Sequence, residues 1–116
     1  MKKIWVTFQK KGIHRYPAAG TDENLKEVEY LSYPHRHKFG FRVTIEVFHL
    51  DRDLEFHQFL NWLESLYDTD ILSLDHKSCE MMSDELYKHI NDKFPGRYVE
   101  IEISEDNECG SIISYE

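Results

Sequence analysis

The sequence predicts one α+β domain ordered strand–strand–helix–helix–strand–strand, with the strands in a four-stranded antiparallel sheet and both helices on one face. Three observations carry this. Two stretches near the N-terminus alternate apolar and polar residues at period two. Two central stretches space their apolar residues at helical intervals, and the C-terminal end returns to period two. With 116 residues, 41% hydrophobic and 31% charged, the chain has room for a single core, so residues 1–116 read as one domain.

The first strand is expected over residues 3–10, where Ile4, Val6 and Phe8 face one side and Trp5, Thr7 and Gln9 the other. Gly12 permits a bulge before His14. Residues 17–34, with Pro17, Gly20, Asp22 and Pro34, read as a long loop, and loops of that length in small domains are more often functional than idle. The pattern resumes from His37 to Phe48, with Phe39, Phe41, Val43, Ile45 and Val47 on one side. His35 and His37 share the parity of that apolar row. Asp51 or Asp53 is placed to cap a helix through about Tyr67, its apolar side formed by Phe56, Phe59, Leu60, Leu63 and Leu66. Ser83 is placed to cap a second helix, with Asp84 and Glu85 in its first turn. Its stripe is Leu86, Tyr87, Ile90 and Phe94, and Pro95-Gly96 ends it. Tyr98–Glu105 and Ile112–Tyr115 supply the last two strands, either side of a turn with Asn107 and Gly110. Two helices leave sheet face and edges over, which suggests self-association through the sheets.

Composition narrows function. A net charge of −8 repels phosphate backbones and argues against nucleic acid as a partner. No apolar run approaches the roughly 18–20 residues of a membrane helix, and Met1-Lys2-Lys3 leads into too short an apolar stretch for a signal peptide. Cys79 and Cys109 are too few for a disulfide framework and read as reduced thiols of a cytoplasmic protein.

Seven histidines is the compositional oddity. On a strand, His35 and His37 project to the same side, near enough to share one metal ion, and His14 at the end of the first strand is the natural third ligand. The competing reading is a solvated His-x-His at a loop–strand junction. Asp75-His76, between the helices, pairs a carboxylate with an imidazole as a general base requires, although such dipeptides also occur in turns. Glu105 stands on the parity of Val99, Ile101 and Ile103. There it either binds a ligand's N–H groups or marks a strand that has ended in solvent. His49, His57 and His89 have no partner pattern.

In order along the chain, these pieces resemble the 6-pyruvoyltetrahydropterin and 6-carboxytetrahydropterin synthase family, the T-fold. The matching segments are His14, His35-Arg36-His37 with Phe39–Ile45, Leu54-Glu55-Phe56, Leu74-Asp75-His76, Met82-Ser83-Asp84-Glu85-Leu86 and Ile103-Ser104-Glu105. The resemblance implies zinc held by His14, His35 and His37, and Asp75-His76 as the proton-transfer pair. It also implies Glu105 as the anchor of a pterin's N–H edge, and a homo-oligomer, hexamer or tetramer, with sites between subunits. The expected activity is a zinc-dependent lyase of pterin or deazapurine biosynthesis. The chain departs from the family at Leu31, where the family carries its catalytic cysteine, and at Arg36, which replaces a glycine between the ligands. A non-catalytic T-fold protein binding a purine-like or nucleotide ligand is the alternative, with Arg36 free to pair with a phosphate.

Overall fold

The computed structural model describes all of residues 1–116. The fold is α+β: strands β1 (Lys2–His14) and β2 (His35–Val47), helix α1 (Phe56–Ser65), strand β3 (Ile71–Asp75), helix α2 (Cys79–Lys93), and strands β4 (Val99–Glu105) and β5 (Cys109–Tyr115). The sheet has five strands in the order β3-β1-β2-β4-β5. β1–β2, β2–β4 and β4–β5 pair antiparallel, but β3 runs parallel to β1.

The expectation of four antiparallel strands is therefore corrected to a five-stranded mixed sheet. The missed strand, β3, is only five residues long, too short for its alternation to stand out between two helices. It is nonetheless half-buried in the usual way, with Leu72 and Leu74 turned into the core and Ile71 outward. β1 also runs past the expected end, because Gly12 makes no bulge. A Cβ there would stand 2.9 Å from Leu74 Cδ1 and 2.9 Å from Phe39 Cε2, so the missing side chain is what lets three strands close. The irregularity lies one residue further on, between Ile13 and His14 in the pairing with β3.

Both helices begin elsewhere than expected, for reasons visible in the hydrogen bonding. Asp53 accepts from Phe48 N at 2.8 Å and from Arg97 Nη1 at 2.9 Å, so its carboxylate is committed away from α1. Glu55 caps instead, taking His57 N and Gln58 N. Ser78 caps α2 through Met81 N, while Ser83 lies fully buried in mid-helix with its hydroxyl 3.0 Å from Tyr115 Oη. α2 ends before Gly96, whose φ of 75° suits glycine. The long loop holds two 3₁₀ segments, Pro17–Gly20 and Glu23–Ser32, and is closed at its base by Tyr16 N donating to Leu31 O at 2.7 Å.

One apolar cluster joins everything. Val6, Phe8, Phe39, Phe41, Val43, Ile45, Val99, Ile101 and Ile103 from the sheet meet Phe59 and Leu63 of α1 and Met82, Leu86 and Ile90 of α2. Both helices thus cover the same face, as the pattern predicts. Phe41 stacks on Phe8 with centroids 4.6 Å apart. The other face carries Trp5 under Arg42 and exposed Ile112. No helix is long and apolar enough to cross a membrane.

Candidate metal centre

The site grows directly out of strand register. Along the inner face of β2 the apolar row ends at Phe39, and the next two inward positions are His37 and His35. Antiparallel pairing sets His14 opposite His35 and Gly12 opposite His37. On the other side, β4 sets Glu105 opposite Phe39. Period-two alternation therefore delivers three imidazoles and one carboxylate to one end of the covered face, just beyond the core.

The three rings form a compact triangle with centroids 4.7 Å (His14–His35), 4.8 Å (His35–His37) and 5.2 Å (His14–His37) apart. One ligand atom from each lies within 4.8 Å of the others. His14 is buried, and its ring and that of His37 meet the Phe39 ring edge-on, so an apolar floor lies under the cluster.

Every ring is held by its Nδ1. His14 Nδ1 is 2.8 Å from the Lys77 carbonyl, His35 Nδ1 is 2.8 Å from the Tyr33 carbonyl, and His37 Nδ1 is 2.7 Å from Asp106 Oδ2. Carbonyls and carboxylates only accept, so each Nδ1 carries a proton, which in the neutral ring leaves the lone pair on Nε2. Nδ1 partners of this kind orient metal-binding imidazoles. Asp106 is itself fixed: the Lys38 N–H, then His37, hold its carboxyl below the ordinary 3.8. Its φ of 55° lies in the left-handed region, which Asp and Asn tolerate best after glycine. His37 Nε2 is buried and without a hydrogen-bond partner, an orphan that a cation would satisfy. On these grounds the three histidines fit a metal ion.

Glu105 stands against the imidazoles, with Oε1 3.3 Å from His14 Nε2 and Oε2 3.4 Å from His37 Nε2. Asp75 pairs with His14 in the β1–β3 register, and its carboxylate is 3.3 Å from Arg15 Nε and 3.4 Å from His76 Nδ1. His76, then Arg15, hold the Asp75 carboxyl below its usual range. Both Asp75 and His76 are exposed.

Arg36 is carried to the opposite face of β2 from the two histidines, beside outward-facing Lys11 and Lys38, and the three line a shallow depression with Asp70. A concavity of about 790 Å³ also lies away from the imidazoles, on the outer face across Thr7, Gln9, Arg42, Glu102 and Ile112. Cys79 is buried at the start of α2, and burial, then Glu105, push its thiol up to about 12. Leu31 is half-buried in the loop that joins His14 to His35. Sequence reasoning did not reach Asp106 or the Lys77 and Tyr33 carbonyls. Asp106 had a signal in its turn-forming neighbour Asn107, whereas backbone carbonyls leave no mark in a sequence.

No protein-family model matches this chain, and no curated protein matches it.

Proposed function

We propose that this domain is a zinc-dependent lyase of the T-fold, acting on a pterin or deazapurine precursor as the 6-pyruvoyl- and 6-carboxytetrahydropterin synthases do. The observation that carries this reading is the convergence of His14, His35 and His37, each with Nδ1 engaged and one ring nitrogen within 4.8 Å of the others. Zinc in such a site polarises hydroxyl and carbonyl oxygens of a substrate side chain. The chain's own part is to hold the ion with the three imidazoles and to move a proton with Asp75-His76. Asp75, ionised at neutral pH, accepts a hydrogen bond from His76 Nδ1 at 3.4 Å and so leaves Nε2 as the base for a carbon-bound proton. Asp75 ends β3 opposite His14 in the β1–β3 register, and His76 follows it.

Self-association belongs to the same proposal. The edges β3 and β5 carry exposed Ile71 and Ile112, and the concave outer face adds Trp5. These are features that joining sheets would cover. Zinc analysis of the purified protein, light scattering, and turnover of 7,8-dihydroneopterin triphosphate test the proposal together. A zinc-loaded oligomer whose turnover falls in His76→Ala supports it, and a zinc-free or inert protein overturns it.

One observation favours a second reading, a non-catalytic protein that binds a purine-like or nucleotide ligand. Leu31 offers no nucleophile, and the Cys79 thiol is buried and held protonated. Recovery of such a ligand unchanged from the zinc-loaded protein would select it over the lyase.

A further inference from the structure

Glu105 faces the imidazoles in a way that hydrogen bonding does not explain. With all three Nδ1 atoms donating elsewhere, the neutral forms of His14 and His37 would turn lone pairs toward the Glu105 oxygens. Acceptors confront acceptors at 3.3 and 3.4 Å. Buried His37 Nε2 makes no hydrogen bond there in spite of the short approach. With neutral rings such an arrangement is repulsive unless a positive charge, a metal ion or a proton on Nε2, lies between the groups. These two nitrogen–oxygen distances suit zinc. Donors bonded at about 2.0–2.1 Å to a tetrahedral zinc stand about 3.3–3.4 Å apart. The carboxylate is also placed by rigid elements, opposite Phe39 in the β2–β4 ladder and at the mouth of the turn that supplies Asp106.

We infer that Glu105 is the fourth ligand of the metal in the ligand-free protein, closing a His14–His35–His37–Glu105 site. This rests on reading the three histidines as a metal centre, and it gives the carboxylate a first duty other than anchoring a heterocycle. A site with four protein ligands has no open position for water or substrate, so any ligand that is to reach the ion must first displace Glu105. The resting site is thereby protected from adventitious anions and thiols.

Cobalt(II) in place of zinc reports this without any assay of activity. The unmutated protein is loaded with cobalt and titrated with azide while its visible absorption is followed. A closed site gives an intense four-coordinate spectrum that azide leaves unchanged, whereas an open site shifts as azide binds. In Glu105→Gln the spectrum becomes azide-responsive, and zinc affinity, measured against a chromophoric chelator, falls by at least the roughly ten- to hundredfold typical of lost outer-shell partners. An azide-sensitive spectrum in the unmutated protein overturns the inference even if the variant proves too unstable to study, and so does unchanged zinc affinity in a folded variant. A protein that takes up neither metal refutes the metal centre itself, which is a different failure.

Discussion

Replacing Asp106 by asparagine tests the site at its most specific point. Asp106 uses one oxygen to accept Lys38 N at 2.8 Å and the other to accept His37 Nδ1 at 2.7 Å. Asparagine keeps the turn conformation and one carbonyl oxygen. If that oxygen stays with Lys38 N, an amide N–H₂ is turned on the His37 Nδ1 proton, donor against donor. The ring relieves the clash by moving its proton to Nε2, the atom buried without a partner, and loses the lone pair that would bind metal. Outer-shell partners of ligating histidines are worth about ten- to a hundredfold in metal affinity. The upper part of that range is expected here, because this is the only carboxylate among the three Nδ1 partners. Zinc affinity is read by competition with a chromophoric chelator, and the tautomer by nitrogen–proton correlation spectra of the metal-free imidazoles. His14 and His35 keep their Nδ1–H pattern while His37 changes. Affinity within about twofold of the parent, together with an unaltered His37 tautomer, would refute the reasoning.

Three other outcomes follow from the packing and electrostatics. Phe41→Ala removes a ring stacked on Phe8 and tilted against Tyr67 in a fully packed core, so urea unfolding shows a loss of about 3–5 kcal/mol, and a loss below about 1 kcal/mol contradicts that packing. Alkylation near neutral pH modifies exposed Cys109 quickly and buried Cys79 hardly at all, since the latter thiol is pushed up to about 12; mass mapping that finds Cys79 labelled first reverses the assignment. Asp53, held below its ordinary 3.8 chiefly by Arg97 and then by Phe48 N–H, stabilises the fold above that pH and loses the contribution as pH falls through its folded value. Acid titration of Asp53→Asn therefore shows a shallower loss of stability below pH 3.8 than the parent, and coincident curves would count against the pair.

What was legible in the sequence is what strand alternation and helix spacing encode. The inward rows of β1, β2 and β4 and the stripes of both helices pack in or against the core, except Phe56, which starts α1 exposed. Parity put His35 and His37 on the apolar side of β2 while leaving Glu105 open between the site and solvent. His14 joined them because β1 continues through Gly12 instead of bulging. The losses have specific causes. β3 is five residues of parallel edge strand, whose partner is chosen by tertiary packing. Asp53 and Ser83 are good capping types spent on Arg97 and Tyr115, and no local rule foretells a long-range competitor. Arg36 lies between His35 and His37 in sequence yet on the far side of the sheet in space, which is the same alternation that unites its neighbours.

The convergence of His14, His35 and His37 on one ion is tested most directly by counting that ion. Purified protein is dialysed to equilibrium against dilute zinc, and bound metal is measured by elemental analysis beside the double variant His35→Ala/His37→Ala. One zinc retained per chain, and none by a folded double variant, is the predicted result. No zinc in the unmutated protein, or equal zinc in both, would contradict it.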